Sequence, residues 1–218
     1  MCREAMTDFM DFLKESPSVF HAVQALASRL EEAGFVRLYE TMPSWDLVPG
    51  RQYFVTRNDS SVISFRLPEK KPEILRILAG HSDSPCFKIK PDPEIGAAGC
   101  VKLNIEPYGG MLKNTWYDRP LSVAGRVLIE ENGRIVQKLV YPDRDLLIIP
   151  SLAIHMDREA NEKAMTNVQT DMQPLFALGE KGDRFMETIA EEAGIGVAET
   201  ADAPGNLQTA SWAWICSW

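Results

Sequence analysis

The sequence predicts a mixed α/β protein in two parts, an α/β segment over residues 1–91 and a mostly-β segment over residues 92–200. Three observations carry this prediction. Two stretches with apolar residues at helical spacing open the chain, a short continuous apolar run follows at 74–79, and apolar and polar residues alternate beyond residue 100.

The opening stretch predicts two helices. Apolar residues recur at helical spacing over residues 4–15 and again between Ser18 and Gly34. Ser18 is a suitable N-cap for the second helix, and Gly34 is placed to end it. His21 lies inside this second helix, where a packed or capping side chain is favoured over a role in a site.

β-rich runs follow the helices. Residues 52–56 and 61–66 surround a polar turn and predict a hairpin. The apolar run at 74–79 predicts a buried central strand that stops at Gly80. The first part of the chain therefore combines helices with at least one strand that should be covered on both faces.

His81 and Asp83 directly follow this predicted strand. In open α/β sheets, ligand sites collect beyond the carboxyl ends of the strands. A histidine that binds metal usually needs a carboxylate to fix its tautomer and ring orientation, and the spacing allows Asp83 to do so. From these residues alone, a hydrogen-bonded structural histidine remains the commoner alternative.

The character of the sequence changes after Pro91. Proline and glycine over residues 92–99 predict a linker and a domain boundary. Residues 101–106 alternate as in a strand with one wet face. Two β-rich runs then flank Asn132-Gly133, a dipeptide that strongly favours a hairpin turn.

Two further elements are predicted in the second part. Residues 146–149 form a short buried strand that Pro150 stops. Asp183 can cap a last helix that ends at Gly194.

Composition excludes several classes of function. A formal net charge of -8 argues against nucleic acid or an anionic membrane as partner. No apolar run approaches the ~20 residues of a membrane span, and the N-terminus lacks the basic and apolar regions of a signal peptide. The cysteines are scattered without a CxxC pair, which disfavours a zinc ribbon and suits reduced thiols in the cytoplasm. They are Cys2, Cys86, Cys100 and Cys216.

Four stretches together resemble, in the same order, motifs of the M18 aminopeptidases, the aspartyl aminopeptidase family. The likeness runs from about residue 5 to about residue 195. Residues 80–91 (GHSDSPCFKIKP) are similar to the family pattern GHTDSPxxxxKP. The other stretches are SPSVFH at 16–21, YGG at 108–110 with TWYDR at 115–119 and LSVAGR at 121–126, and IPSLAIH at 149–155.

The resemblance implies a zinc-dependent aminopeptidase that removes N-terminal residues, acidic ones, from peptide substrates. Two zinc ions per complete active site would polarise the scissile carbonyl and activate a bridging water. His81 matches a metal ligand of the family, and Asp83 matches the catalytic-site carboxylate that orients it. His155 matches a histidine that reaches into the neighbouring subunit's active site. From the residues alone, a core histidine would be favoured at that position.

The resemblance also implies the architecture. Residues 1–91 would be the N-terminal portion of a zinc-peptidase-like α/β catalytic domain, and residues 92–200 an inserted, mostly-β dimerisation domain. Homodimers would form, with higher homo-oligomers in full-length relatives. Residues 116–119 match the family too, either as interface anchors or as a buried structural pair of Asp118 and Arg119. Pro120 stands where the family usually has Asp, which is a departure from the family pattern.

Residues 201–218 depart from the family pattern. The family's remaining metal ligands and its general base have no counterpart here, and three tryptophans crowd the last seven residues. We expect a truncation or a shifted reading frame. Because catalytic zinc normally needs about three protein ligands, we expect the chain alone to lack appreciable activity. The alternative function is an inactive oligomerisation module.

Overall fold

The structure, a computed structural model, describes residues 2–131, 134–159, 166–182, 184–195 and 213–216. The chain divides into two compact units, Met1–Ser84 and Pro85–Trp218. This division comes earlier than the boundary expected at residue 91. Residues 92–97, predicted as a linker, instead continue a long strand, because their backbone groups pair with a neighbouring strand.

The first unit contains both predicted helices, and its predicted hairpin is confirmed. A short strand at residues 36–38, which the sequence analysis did not predict, pairs in parallel with the first strand of that hairpin. The elements are α1 (Cys2–Glu15), α2 (Val19–Glu32), β1 (Val36–Leu38), β2 (Gln52–Arg57) and β3 (Ser61–Arg66).

Both predicted ends of α2 are confirmed. The Ser18 side chain accepts a hydrogen bond from the backbone N–H of His21. At the other end, Gly34 has a φ of 82° and its N–H donates to the carbonyl of Glu31, while Phe35 N–H donates to the carbonyl of Leu30. This pair of bonds satisfies carbonyls that the helix leaves unpaired, and the left-handed backbone suits glycine.

The predicted central strand at 74–79 is wrong for this structure. These residues form no strand, and Leu78 is fully exposed. A strand is stable only when its backbone pairs with a neighbour, and none of the described residues forms a ladder with this run. The core of the first unit lies elsewhere, around Leu38, Tyr53 and Val55.

The second unit is built on a six-stranded antiparallel sheet. Its elements are β4 (Cys86–Ala97), β5 (Cys100–Tyr108), β6 (Ser122–Glu131), β7 (Arg134–Val140), α3 (Val168–Asp171), β8 (Leu175–Leu178), α4 (Arg184–Glu192) and β9 (Ala213–Cys216). The strand order in the sheet is β7-β6-β9-β4-β5-β8. A 3-10 turn, Lys113–Trp116, lies between β5 and β6.

The alternation predicted for residues 101–106 is confirmed. Val101, Leu103 and Ile105 of β5 are buried while the residues between them are half-buried. The hairpin of β6 and β7 is also confirmed, although its Asn132-Gly133 turn lies outside the described residues. Alternating side chains therefore place one face of the sheet in the core.

Residues 146–149 form isolated bridges instead of the predicted strand. Leu147 bridges to Leu121, and Ile148 bridges to Leu175. Leu147 and Ile149 are nevertheless buried, as the sequence analysis expected. The run is thus anchored in the core although its ladder is short.

Glu94 is a buried carboxylate that joins β4 to α4. A register shift between Ile89 and Glu94 interrupts the pairing of β4 with β5. The Glu94 carboxylate accepts hydrogen bonds from Phe185 N at 2.6 Å and Gly182 N at 3.1 Å. A carboxylate at a helix N-terminus satisfies free N–H groups and interacts favourably with the helix dipole. The predicted cap, Asp183, lies outside the described residues.

Residues 213–216 form a strand that was not predicted from the sequence. Residues 201–218 were expected to be an atypical tail, yet residues 213–216 form β9 between β4 and β6. Ile215 is fully buried in the same core as Phe87. The apolar residues of this segment fit an interior strand, whose side chains pack on a covered face.

Candidate functional site

His81 and Asp83 form the pair that the sequence analysis expected. Nδ1 of His81 lies 3.1 Å from Oδ1 of Asp83. The hydroxyl of Ser82, between them, donates to the carbonyl of Ser60 at 3.0 Å and so ties the segment to the turn between β2 and β3. Asp83 is partly shielded, whereas the His81 side chain is 91% exposed.

This geometry leaves one nitrogen of His81 open for a ligand. A carboxylate at Nδ1 favours the tautomer that carries its proton there, which makes Nε2 the available lone pair. The arrangement fits a single metal ligand with its orienting carboxylate. It does not complete a zinc site, because the described residues bring no three His, Cys, Asp or Glu side chains together around a common point.

His155 lies in the second unit, on an exposed turn. The carbonyl of Ala153 accepts from Met156 N at 2.8 Å and from Asp157 N at 3.2 Å, which closes the turn around His155. Residues 151–156 are all exposed. The interpretation of His155 as a core residue is therefore wrong, because the buried run ends at Ile149.

Asp118 connects to the same segment. Its carboxylate accepts a hydrogen bond from Ser151 Oγ at 2.5 Å and from Ser151 N at 2.9 Å. These bonds hold the pKa of Asp118 below its usual value, and the bond from the Ser151 hydroxyl contributes more than the bond from its backbone N–H. The expectation of a buried pair of Asp118 and Arg119 is wrong, since Asp118 is exposed. Arg119 donates to the carbonyl of Thr115.

His21 is held by the helix cap. Ser18 Oγ lies 2.7 Å from His21 Nδ1. Burial lowers the pKa of His21 to about 4. Nδ1 of the neutral ring accepts a hydrogen bond from the Ser18 hydroxyl, so this histidine packs against the capping residue, in keeping with the packed or capping side chain that was favoured from the sequence.

The contact of Asp118 with Ser151 was not predicted from the sequence. The two residues are 33 positions apart, and nothing in their spacing indicates that they meet. One signal was present: Pro150 has no N–H, so a backbone ladder is interrupted there and any attachment beyond it comes from another group.

Comparison with known proteins agrees with the fold. The family model described as "Aminopeptidase I zinc metalloprotease (M18)" matches residues 12–204. A protein of Pseudomonas putida (strain GB-1), "Probable M18 family aminopeptidase 2", is 46% identical over 195 residues, which are 87% of this chain and 45% of that protein. A protein of Azotobacter vinelandii with the same name is 43% identical over 88% of this chain and 46% of its own length.

Solved structures are similar as well. "Structure of Chaetomium thermophilum mApe1" superimposes with a TM-score of 0.81 at 31% identity, over 96% of this chain and 49% of that one. "Cryo-EM structure of the Ape4 and Nbr1 complex" gives a TM-score of 0.80 at 35% identity, over 96% and 43%. An M18 aminopeptidase of Thermotoga maritima, 19% identical with a TM-score of 0.72, shares the fold.

The chain therefore belongs to the M18 family of aminopeptidases. It spans less than half the length of the curated relatives quoted above. Among the helices that the structure describes, none is long and apolar enough to cross a membrane.

Proposed function

We propose that this chain contributes to the active site of a zinc-dependent M18 aminopeptidase that removes N-terminal, acidic residues from peptides. The supporting observation is the pairing of His81 with Asp83, which leaves Nε2 of an exposed imidazole available to a metal. The family description names a zinc metalloprotease. The described residues supply one ligand, and we propose that the other ligands and the general base come from outside them.

Asp83 has two tasks in this proposal. Its carboxylate holds the His81 ring so that Nε2 faces outward, and it keeps the Nδ1 proton in place when the ring binds a cation. Ser82 fixes the backbone between the two residues through Ser60. The His81 ring is therefore oriented before it binds a metal ion, which reduces the conformational entropy lost on binding.

The test uses a completed protein, the chain joined in frame to the part of the P. putida relative that lies beyond the matched region. His81→Ala should remove one zinc equivalent and most of the activity on a peptide with an N-terminal Asp or Glu. Asp83→Asn should weaken zinc affinity about 10–100-fold. Asp46→Asn, which changes an exposed carboxylate in the same unit, is the control. Unchanged zinc content and rate in His81→Ala would refute the assignment.

We propose further that His155 acts in the active site of a neighbouring subunit. Its exposure on a turn of the second unit supports this role, since a buried ring could not reach another chain. Completed proteins carrying His155→Ala and His81→Ala are each expected to be impaired. Mixed dimers should regain part of the activity, because one site then holds intact ligands and an intact visiting histidine. Subunit exchange without any regain would disprove the role.

A second candidate function is an oligomerisation module of the same family, without activity of its own. The oligomerisation function is favoured by three exposed apolar residues close to His155 in sequence, because such a cluster suits a protein interface. They are Leu152, Ile154 and Met156. A solved structure that shares the fold, "Structure of S. cerevesiae mApe1 dodecamer", is that of an oligomer. We propose that this chain forms a symmetric homodimer in the cytoplasm through its second unit. Sedimentation of only monomers at micromolar concentration would argue against it.

A further inference from the structure

The segment that carries His155 leaves the core of the second unit at a defined point. Leu121 and Leu147 exchange backbone hydrogen bonds of 2.9 Å in both directions, and Asp118 N donates to the carbonyl of Ile149 at 2.9 Å. Leu147 and Ile149 are buried. Pro150 cannot continue this ladder because it has no N–H. The chain would lose its attachment here, just before its exposed part begins.

The side chain of Asp118 extends the attachment past the proline. One carboxylate oxygen accepts from Ser151 N at 2.9 Å and the other from Ser151 Oγ at 2.5 Å. Hydrogen bonds to an ionised acceptor are stronger than those between neutral groups. The next backbone bonds along the chain close the local turn at Ala153. Ser151 is thus the last residue before His155 that these bonds tie to the body of the unit.

Asp118 adopts an unusual backbone conformation to make these contacts. Its φ is 54°, in the left-handed region that non-glycine residues seldom occupy. Its own hydrogen bonds hold it there, since its N–H donates to the carbonyl of Ile149 at 2.9 Å and its carboxylate accepts from Ser151. Strained backbone of this kind persists where the surroundings fix it, and it is found often at functional sites.

We propose that Asp118 is the positioning residue for His155. By holding both polar groups of Ser151, its carboxylate fixes the base of the turn and therefore the direction in which the imidazole is presented to a neighbouring subunit. This proposal rests on the proposed role of His155. It assigns Asp118 no contact with substrate. The effect of removing the carboxylate should stay local, because the buried run ends at Ile149.

Three variants isolate the carboxylate. Asp118→Gly removes it and relieves the left-handed backbone, because glycine accepts positive φ at no steric cost. Asp118→Asn keeps an acceptor for Ser151 N and also tolerates that backbone. Asp59→Gly is the matched control, since Asp59 is another aspartate with positive φ, 47°, and lies in the first unit.

The first measurement is amide hydrogen exchange on the chain itself and needs no activity. In Asp118→Gly, the hydrogen-bonded amides of this segment, those of Ser151, Met156 and Asp157, should exchange about tenfold faster or more, which corresponds to at least the loss of one charge-assisted hydrogen bond. The amides of β4 and β5 should be unchanged. Asp118→Asn should stay within about threefold of wild type, and Asp59→Gly should match it. Unchanged exchange at 151–157 in Asp118→Gly would overturn the proposal.

The second measurement is kinetic and uses the completed protein. Asp118→Gly should lower kcat while zinc content stays constant, and Asp118→Asn should recover most of the rate. In a His155→Ala background, Asp118→Gly should have no further effect, because both changes remove the same group from the site. Additive losses would overturn the positioning role. If His155→Ala alone is fully active, the proposed role of His155 fails instead, and the positioning role fails with it.

Discussion

Two stretches rich in apolar residues lie in opposite environments, one exposed and the other partly buried in a core. Residues 74–79 are apolar but for one arginine, yet they form no strand and are largely exposed. In residues 101–105, apolar and polar residues alternate, and every second residue, the apolar one, is buried. The second run pairs with strands on both sides, β4 and β8, whereas no described residue pairs with the first. Hydrophobicity alone does not place a strand in a core, because backbone groups also need partners.

The two units also differ in the size of their buried clusters. The buried cluster of the second unit includes strands, bridges and a helix, while that of the first unit centres on three residues. The chain spans less than half the length of its curated relatives. Within the described residues, His81 directly follows a run that no strand pairs with.

The largest expected effect contrasts a buried residue with an exposed one. Phe87→Ala should lower the free energy of unfolding of the second unit by about 3–5 kcal/mol, because it leaves a cavity beneath Trp116. Leu78→Ala should change stability by less than about 0.5 kcal/mol. Urea unfolding followed by circular dichroism measures both. Comparable losses would mean that residues 74–79 are packed after all.

The next effect tests whether the final strand is part of the sheet. Ile215→Ala should cost about 2–5 kcal/mol in unfolding free energy, since Ile215 is fully buried between β4 and β6. Ile135→Ala, on an exposed position of β7, is the control and should be nearly neutral. Equal stability of both variants in urea unfolding would contradict the place of β9 in the core.

The smallest expected effect belongs to the first unit and depends on pH. Because the folded pKa of His21 is lowered to about 4 from an ordinary 6.5, the unfolded chain binds the proton first as pH falls. The melting temperature of the first unit should therefore drop as pH falls from about 7 to 4.

His21→Gln provides the control for this pH effect. The variant cannot titrate, so the difference between its melting curve and that of wild type isolates the contribution of one ring. The gap between the two should change by several degrees across this pH window. A constant gap would show that His21 is not held neutral.

Local signals allowed much of the fold to be predicted. Ser18 and Gly34 bound α2 because capping depends on residue types within a few positions. The two hairpins followed from alternation and turn residues. The strand at 74–79 was wrong because a strand needs a pairing partner, and none of the described residues pairs with this run. β9 was missed because its partners, β4 and β6, are distant in sequence and cannot be read from its own composition.

The candidate site, like the fold, was predictable where its contacts are local in sequence. His81 and Asp83 lie two positions apart, so their contact follows from the spacing. The contact of Asp118 with Ser151 joins segments 33 positions apart and required the fold. The exposure of His155 likewise depends on where the buried run ends, which an apolar sequence such as IPSLAIH does not reveal.

The place of β9 has a consequence for biosynthesis. Among the described strands, β9 is the one that pairs with both β4 and β6 and so places the hairpin of β6 and β7 in one sheet with β4, β5 and β8. A nascent chain that has emerged only as far as α4 can pair strands within each group but cannot join the groups through β9. Synthesis proceeds at about 5–20 residues per second, so the open edges of β4 and β6 stay unpaired until residues 213–216 emerge. During that interval those edges can pair with other chains, so this is the stage of synthesis at which aggregation is favoured most.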